Sequence, residues 1–158
     1  MDRLQQFGFL LKDLSRRYVA RFEAHAHEIS LTLVQCKALV TLERNEGVSQ
    51  ARLAELTDVD PMTMVRILDH MEGEGLLERR ADPDDRRARR LFLSDKAKPS
   101  LAEIWRVAEA TRNETFAGIS RVDRDAFMNV LEKLHANALA FGDLDDAAPA
   151  PRARRASA

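Results

Sequence analysis

The stretch from Val48 to Leu77 constrains this chain most, because it starts and stops two short helices in quick succession. Ser49 has the side chain of an N-cap, and Val48 and Leu53 flank it at the spacing of a hydrophobic staple. Asp60 is a second cap, followed at once by Pro61. Proline at the first helical position gives up only an N–H without an intrahelical partner, and it pushes the preceding residue out of the α region. Val59 and Met64 form the matching staple, and Leu56-Thr57-Asp58-Val59 leaves room only for a tight turn. Gly73 and Gly75 end the second helix, since glycine readily takes the left-handed C-terminal conformation. The expectation is helix, short turn, helix.

Two short strands follow, Leu76–Arg80 and Arg89–Leu93, joined by a loop whose Asp82-Pro83-Asp84-Asp85 is strong turn chemistry. Elsewhere the apolar spacing is helical. Leu4, Phe7, Leu11, Leu14, Tyr18 and Phe22 form one stripe. Leu33, Cys36, Leu39 and Val40 follow the capping hydroxyls of Ser30–Thr32, in a helix that should fail before Gly47. Leu101, Ile104, Ala108, Thr111, Thr115 and Ile119 form a third stripe, and Phe127, Leu131, Leu134, Ala138 and Phe141 a fourth. Ser120 to Asp123 separates these two, with Asp123 as the cap. Pro99 lies too deep for a helix capped at Ser94, so a start near Lys98 or a bend is expected. From Asp143 to Ala158 there is nothing to bury, and a disordered tail is expected. The predicted fold class is mainly α with a small β-hairpin wing: a winged helix-turn-helix over 31–93, with helical segments over 1–30 and 94–142 whose long apolar stripes call for a partner, as a helical dimerisation domain would supply.

Composition narrows the functions open to such a fold. The 158 residues are 45% hydrophobic, enough for one domain with a core. Its 25 basic and 26 acidic residues leave a net charge of -1, so charge must act through local clusters. A single Cys excludes a disulfide framework and a Cys-rich zinc module. No apolar run matches a membrane span, and Met1 to Phe7 lacks a secretory pattern, so a cytoplasmic protein is expected. There is no P-loop, dinucleotide turn or nucleophile elbow, and neither enzyme activity nor a cofactor is expected. Of Glu23, His25, His27 and Glu28, only Glu23 and His27 share a helix face, the mark of a solvated helix end rather than a metal site. Cys36 lies in an apolar stripe and reads as a core thiol, with a redox-responsive regulator as the alternative.

A helix-turn-helix backed by a basic hairpin suits duplex DNA. The second helix enters the major groove by its N-terminal residues while the first crosses the backbone. Those residues are Pro61, Met62 and Thr63, with Arg66 and His70 one and two turns on. Met62 offers an apolar contact to a thymine methyl, and Thr63 and Arg66 can reach bases or phosphates. Ser49 and Gln50, opening the first helix of the pair, can hydrogen-bond phosphates. Arg86, Arg87, Arg89 and Arg90 cluster in the hairpin, where adjacent arginines suit a narrow minor groove. The rival reading is a winged-helix module that binds protein, because Arg66 is outnumbered on its helix by Asp60, Asp69 and Glu72.

Several ordered segments resemble the MarR family of bacterial transcription regulators, and its SlyA-like members in particular. They are Val48-Ser49-Gln50-Ala51-Arg52-Leu53-Ala54, Met64-Val65-Arg66-Ile67-Leu68-Asp69, Glu74-Gly75-Leu76-Leu77, and the wing from Asp82 to Arg90 with Leu93-Ser94 behind it. Thr111-Arg112 and Ala117-Gly118-Ile119 resemble the SlyA-like C-terminal half. The resemblance implies an obligate homodimer, most often a repressor, with the family's minor-groove arginine at Arg87 and Arg86 beside it. The long apolar stripes also call for a partner surface. A two-fold dimer reads a pseudo-palindrome with half-sites roughly 34 Å apart. The resemblance further implies a small phenolic or aromatic acid effector, bound against a wall that includes Thr32, Cys36 and Arg66. Peroxide-sensing members carry their cysteine in the first helix, where this chain has none.

Overall fold

The structure, a computed structural model, describes residues 3–83, 85 and 88–140. They fall into two compact units, the first ending at Thr115 and the second beginning at Phe116. The expected tail and Phe141 lie outside the described residues.

The first unit opens with a 3-10 turn, Arg3–Gln6, and continues as α1 (Phe7–His25), α2 (Leu33–Arg44), α3 (Gln50–Thr57), α4 (Pro61–Gly73), β1 (Leu77–Ala81), β2 (Arg89–Leu93) and α5 (Ala97–Thr115). Local chemistry accounts for most of these boundaries. The Thr32 side chain accepts from the Gln35 N–H while the Gln35 side chain accepts from the Thr32 N–H, a reciprocal capping box that starts α2. Ser49 accepts from the Arg52 N–H at 3.2 Å, and Asp60 from the Thr63 N–H at 3.0 Å. Between α3 and α4 the chain reverses at Asp58, the one non-glycine residue with positive φ (51°) among the described residues. Its N–H bonds to Glu55 O and that of Val59 to Ala54 O, which satisfies the last carbonyls of α3.

The same motif ends α4, where Gly75 takes φ +76° and the Leu76 N–H reaches Met71 O. Gly73 is only the last helical residue. That bond holds Leu76 in the turn, so β1 begins one residue later than expected, at Leu77. Pro99 falls in the first turn of α5, where its missing N–H costs no helical bond.

The strands form an antiparallel hairpin with Leu77 opposite Leu93 and Arg80 opposite Arg90. An isolated bridge between Ser49 and Arg90, with Leu91 N–H donating to Val48 O, ties the start of α3 to β2. The core lies under this assembly: Leu39 and Leu42 of α2, Leu53 of α3, Met64, Leu68 and Met71 of α4, and Leu91 of β2 are fully buried. Leu101 and Ile104 of α5 close it.

A charged tie joins α1 to α5, where Arg21 donates to Glu114 and His25 Nε2 lies 3.0 Å from the other carboxylate oxygen. Arg21 first, and His25 second, hold the Glu114 carboxyl below its ordinary 4.5. A carboxylate held low in the folded state contributes stability above its unfolded value and loses it as pH falls through the lower folded value. An acid titration should therefore show this tie released only below pH 4.5, seen as a loss of amide protection at the C-terminal end of α1 that Glu114→Gln abolishes.

The second unit is built on α6 (Arg121–Ala140). The stripe expected to run through Ile119 as one helix breaks instead at Thr115, and Gly118 turns the chain at φ +76°. The cap is Ser120 rather than Asp123: Ser120 Oγ accepts from the Asp123 N–H and donates to Asp123 Oδ2 at 2.6 Å, which puts Asp123 at the third helical position. Phe116 packs edge-on against Phe127 with centroids 6.1 Å apart, and Arg124 donates to the Phe116 and Ile119 carbonyls. No helix among the described residues is long and apolar enough to cross a membrane.

Candidate nucleic-acid interface

Helix α4 has two chemically distinct faces. Met64, Leu68 and Met71 point into the core, while Pro61, Met62, Thr63, Arg66, Asp69 and His70 are exposed. Met62 is 68% exposed at the N-terminal end of this outer face. Thr63 Oγ1 lies 3.3 Å from Asp60 Oδ1 and, as donor there, keeps its lone pairs to accept from another group. The Arg66 side chain has no hydrogen-bond or ion-pair partner among the described residues. His70 Nε2 lies 3.5 Å from Glu74 Oε1.

The acidic residues of α4 are already engaged. Asp60 is spent as the cap. Asp69 and Glu72 both pair with Arg79, the third residue of β1: Nη2 donates to Asp69 Oδ1 at 2.7 Å and Nη1 donates to Glu72 Oε2. The Arg79 N–H also donates to Glu72 Oε1 at 3.1 Å, and Nη2 reaches Gln50 Oε1 at 3.3 Å. One guanidinium thus joins α3, α4 and β1. Sequence reading missed this knot. Its only trace in the sequence is two acids three apart on one helix, followed after a glycine turn by an arginine. With its carbonyl turned to Arg79, Gln50 has its NH2 group to offer a phosphate.

The base of the wing places like charges opposite each other, Arg80 against Arg90, which is unfavourable unless each finds an anion. Arg80 pairs with Glu78 and lies 4.4 Å from the Phe92 ring centroid. Arg90 pairs at 2.6 Å with the largely buried Asp82. Arg89 is exposed, and its Nη1 donates to the Ala88 carbonyl at 3.3 Å. The hairpin tip at Arg86 and Arg87 lies outside the described residues. The Ser49–Arg90 bridge sets the start of α3 beside β2, so Ser49, Gln50 and the base of the wing lie side by side.

The proposed effector wall is less open. Thr32 is exposed and engaged in its capping box, whereas Cys36, one turn on, is 3% exposed within the core. No hydrogen bond joins either to Arg66 among the described residues. An open cleft of about 500 Å³ lies elsewhere in the unit, lined by Ile29, Leu31, Leu76, Lys96 and Pro99 among others. Burial pushes the Cys36 thiol up from its ordinary 9.0, so it stays protonated and unreactive at neutral pH. Iodoacetamide at pH 8 should leave Cys36 largely unmodified in the folded protein and label it rapidly in urea.

A helix-turn-helix with one bare, cation-bearing face, braced against an arginine-rich hairpin, defines a winged-helix DNA-binding protein. Comparison with known proteins narrows this class. The MarR family model matches residues 31–88. A probable transcriptional regulator from Pseudomonas aeruginosa is 31% identical, with 84% of this chain and 99% of that one covered at a TM-score of 0.65. The transcriptional repressor CouR, solved on a 23-mer DNA duplex, is 26% identical over 85% of this chain and 99% of its own, at 0.69. Bordetella bronchiseptica BpsR, whose DNA binding is regulated by 6-hydroxynicotinic acid, is 27% identical over 82% and 98%, also at 0.69. The chain belongs to the MarR family of transcriptional regulators.

Proposed function

We propose that this regulator is a homodimeric repressor of the SlyA-like branch, acting in the cytoplasm on pseudo-palindromic operators. In this reading residues 31–93 engage DNA, and 1–30 and 94–142 dimerise. Pro61, Met62, Thr63, Arg66 and His70 face the major groove, Arg86, Arg87 and Arg89 follow the adjacent minor groove, and Ser49 and Gln50 hold phosphates. The observation that carries the reading is the exposed face of α4, whose Asp69 and Glu72 are paired to Arg79. That pairing removes the charge argument for a protein-binding module. A small aromatic acid, as for BpsR, is the proposed effector. With Cys36 in the core, Thr32 and Arg66 are the accessible parts of its wall. Binding lowers operator affinity to the extent that the acid prefers wing spacings that miss the grooves.

The test is fluorescence anisotropy on the DNA upstream of the protein's own gene, across a salt series. Wild type should weaken steeply with salt. Arg86→Ala/Arg87→Ala, which removes four arginines from the dimer, should lose at least tenfold in affinity and about 3.6 from the salt slope, at ~0.9 per phosphate contact released. Salt-insensitive binding unchanged in the variant would instead support the protein-interaction reading.

A further inference from the structure

We propose that Arg79 is a positioning residue for sequence recognition: it locks the recognition helix, the first helix of the pair and the wing into the one relative geometry that fits operator DNA. The inference rests on the reading that α4 and the wing contact DNA, and adds a residue that touches neither groove. Three observations carry it. The Arg79 side chain is only 18% exposed, whereas its carboxylate partners are 60% and 39% exposed, so it is an internal brace rather than a surface cation available to phosphate. Its bonds leave it in three directions, to Asp69 and Glu72 on α4, to Gln50 on α3 and, through its backbone N–H, to Glu72 from β1. Asp69 and Glu72 also lie one helical turn apart, so holding both fixes the rotation of α4 about its axis as well as its distance from the strand.

That rotation decides which side chains face a base edge. Even a small rotation of α4, within the play that its buried Met64, Leu68 and Met71 allow, would shift Met62 and Arg66 relative to the base edges. A planar guanidinium can hold two carboxylates and an amide at once in fixed directions, and an ammonium cannot. Arg79→Lys therefore keeps the charge that neutralises Asp69 and Glu72 while giving up the geometry.

The experiment compares wild type and Arg79→Lys on two duplexes: one selected from a randomised pool by the wild-type protein, and one of scrambled sequence. Thermal unfolding is measured alongside. Arg79→Lys should lose about tenfold on the selected duplex, the scale of one lost base contact, with scrambled-sequence affinity, salt slope and melting temperature nearly unchanged. Asp69→Asn should lose less in the Arg79→Lys background than in wild type, since both act through the same knot. Equal losses on both duplexes with a salt slope lower by about 1.8, one phosphate contact from each protomer, would make Arg79 a phosphate contact and overturn the proposal. So would a lower melting temperature with the discrimination ratio intact, which marks a purely structural brace. Failure of wild type to select any duplex would instead count against the DNA-binding reading itself.

Discussion

Leu10→Glu/Leu14→Glu should turn the protein into a monomer in sedimentation, at 17.9 kDa rather than twice that mass, and cost it roughly 100-fold or more in operator affinity. In the single chain Leu10 is 68% exposed and Leu14 41%, and with Phe7 and Leu11, both 45%, they share one face of α1. Helix α6 shows the same pattern, with Phe127, Val130 and Leu134 exposed and no residue buried. A contiguous apolar face of this length is unusual on a protein that works alone. Two glutamates on it would bury unpaired charge in any dimer, at a cost of several kcal/mol each. The DNA effect follows from geometry, because a dimer delivers its second wing at an effective millimolar concentration and a monomer does not. Phe127→Glu on α6 gives an independent arm. A protein that remained at twice 17.9 kDa with all these substitutions would exclude both helices from the interface.

The second large effect separates the two faces of α4. Leu68 is fully buried among Leu39, Leu53 and Met71 in the core, and Leu68→Ala should destabilise the fold by about 3 kcal/mol through lost burial and the cavity left behind. At equal protomer concentration this corresponds to a melting temperature roughly 6–12 °C lower. Met62→Ala, on the same helix but exposed, should leave stability within about 0.5 kcal/mol of wild type. It should still weaken operator binding about tenfold, the scale of one base contact. Equal melting-temperature losses for the two variants would mean that Met62 is covered in the folded protein and does not face DNA.

Legibility in the sequence followed the range of the interactions. Ser49, Thr32, Asp60-Pro61 and Gly75 marked helix ends because a cap or a left-handed residue acts within four positions of itself. The shifts at Leu76 and Asp123 are of the same local kind. Each came from one hydrogen bond, Leu76 N–H to Met71 O and Asp123 N–H to Ser120 Oγ, competing with an equally good alternative a residue or three away.

The sequence by itself therefore determined where helices begin and end, which faces are apolar, and that the hairpin is arginine-rich. Only the tertiary structure decided what those charges do. In the sequence Asp69 and Glu72 stand as acids that outnumber Arg66, and Arg79 as one residue of a strand, until the hairpin folds back on α4 and brings the guanidinium within 2.7 Å of Asp69. Cys36 and Thr32 look equivalent on a helical wheel, yet closure of the core seals one and leaves the other in solvent. The physical reason is common to both. Periodicity records which side of an element is apolar, but the partner of a charge or a cavity wall is set by chain segments that meet only when the core closes.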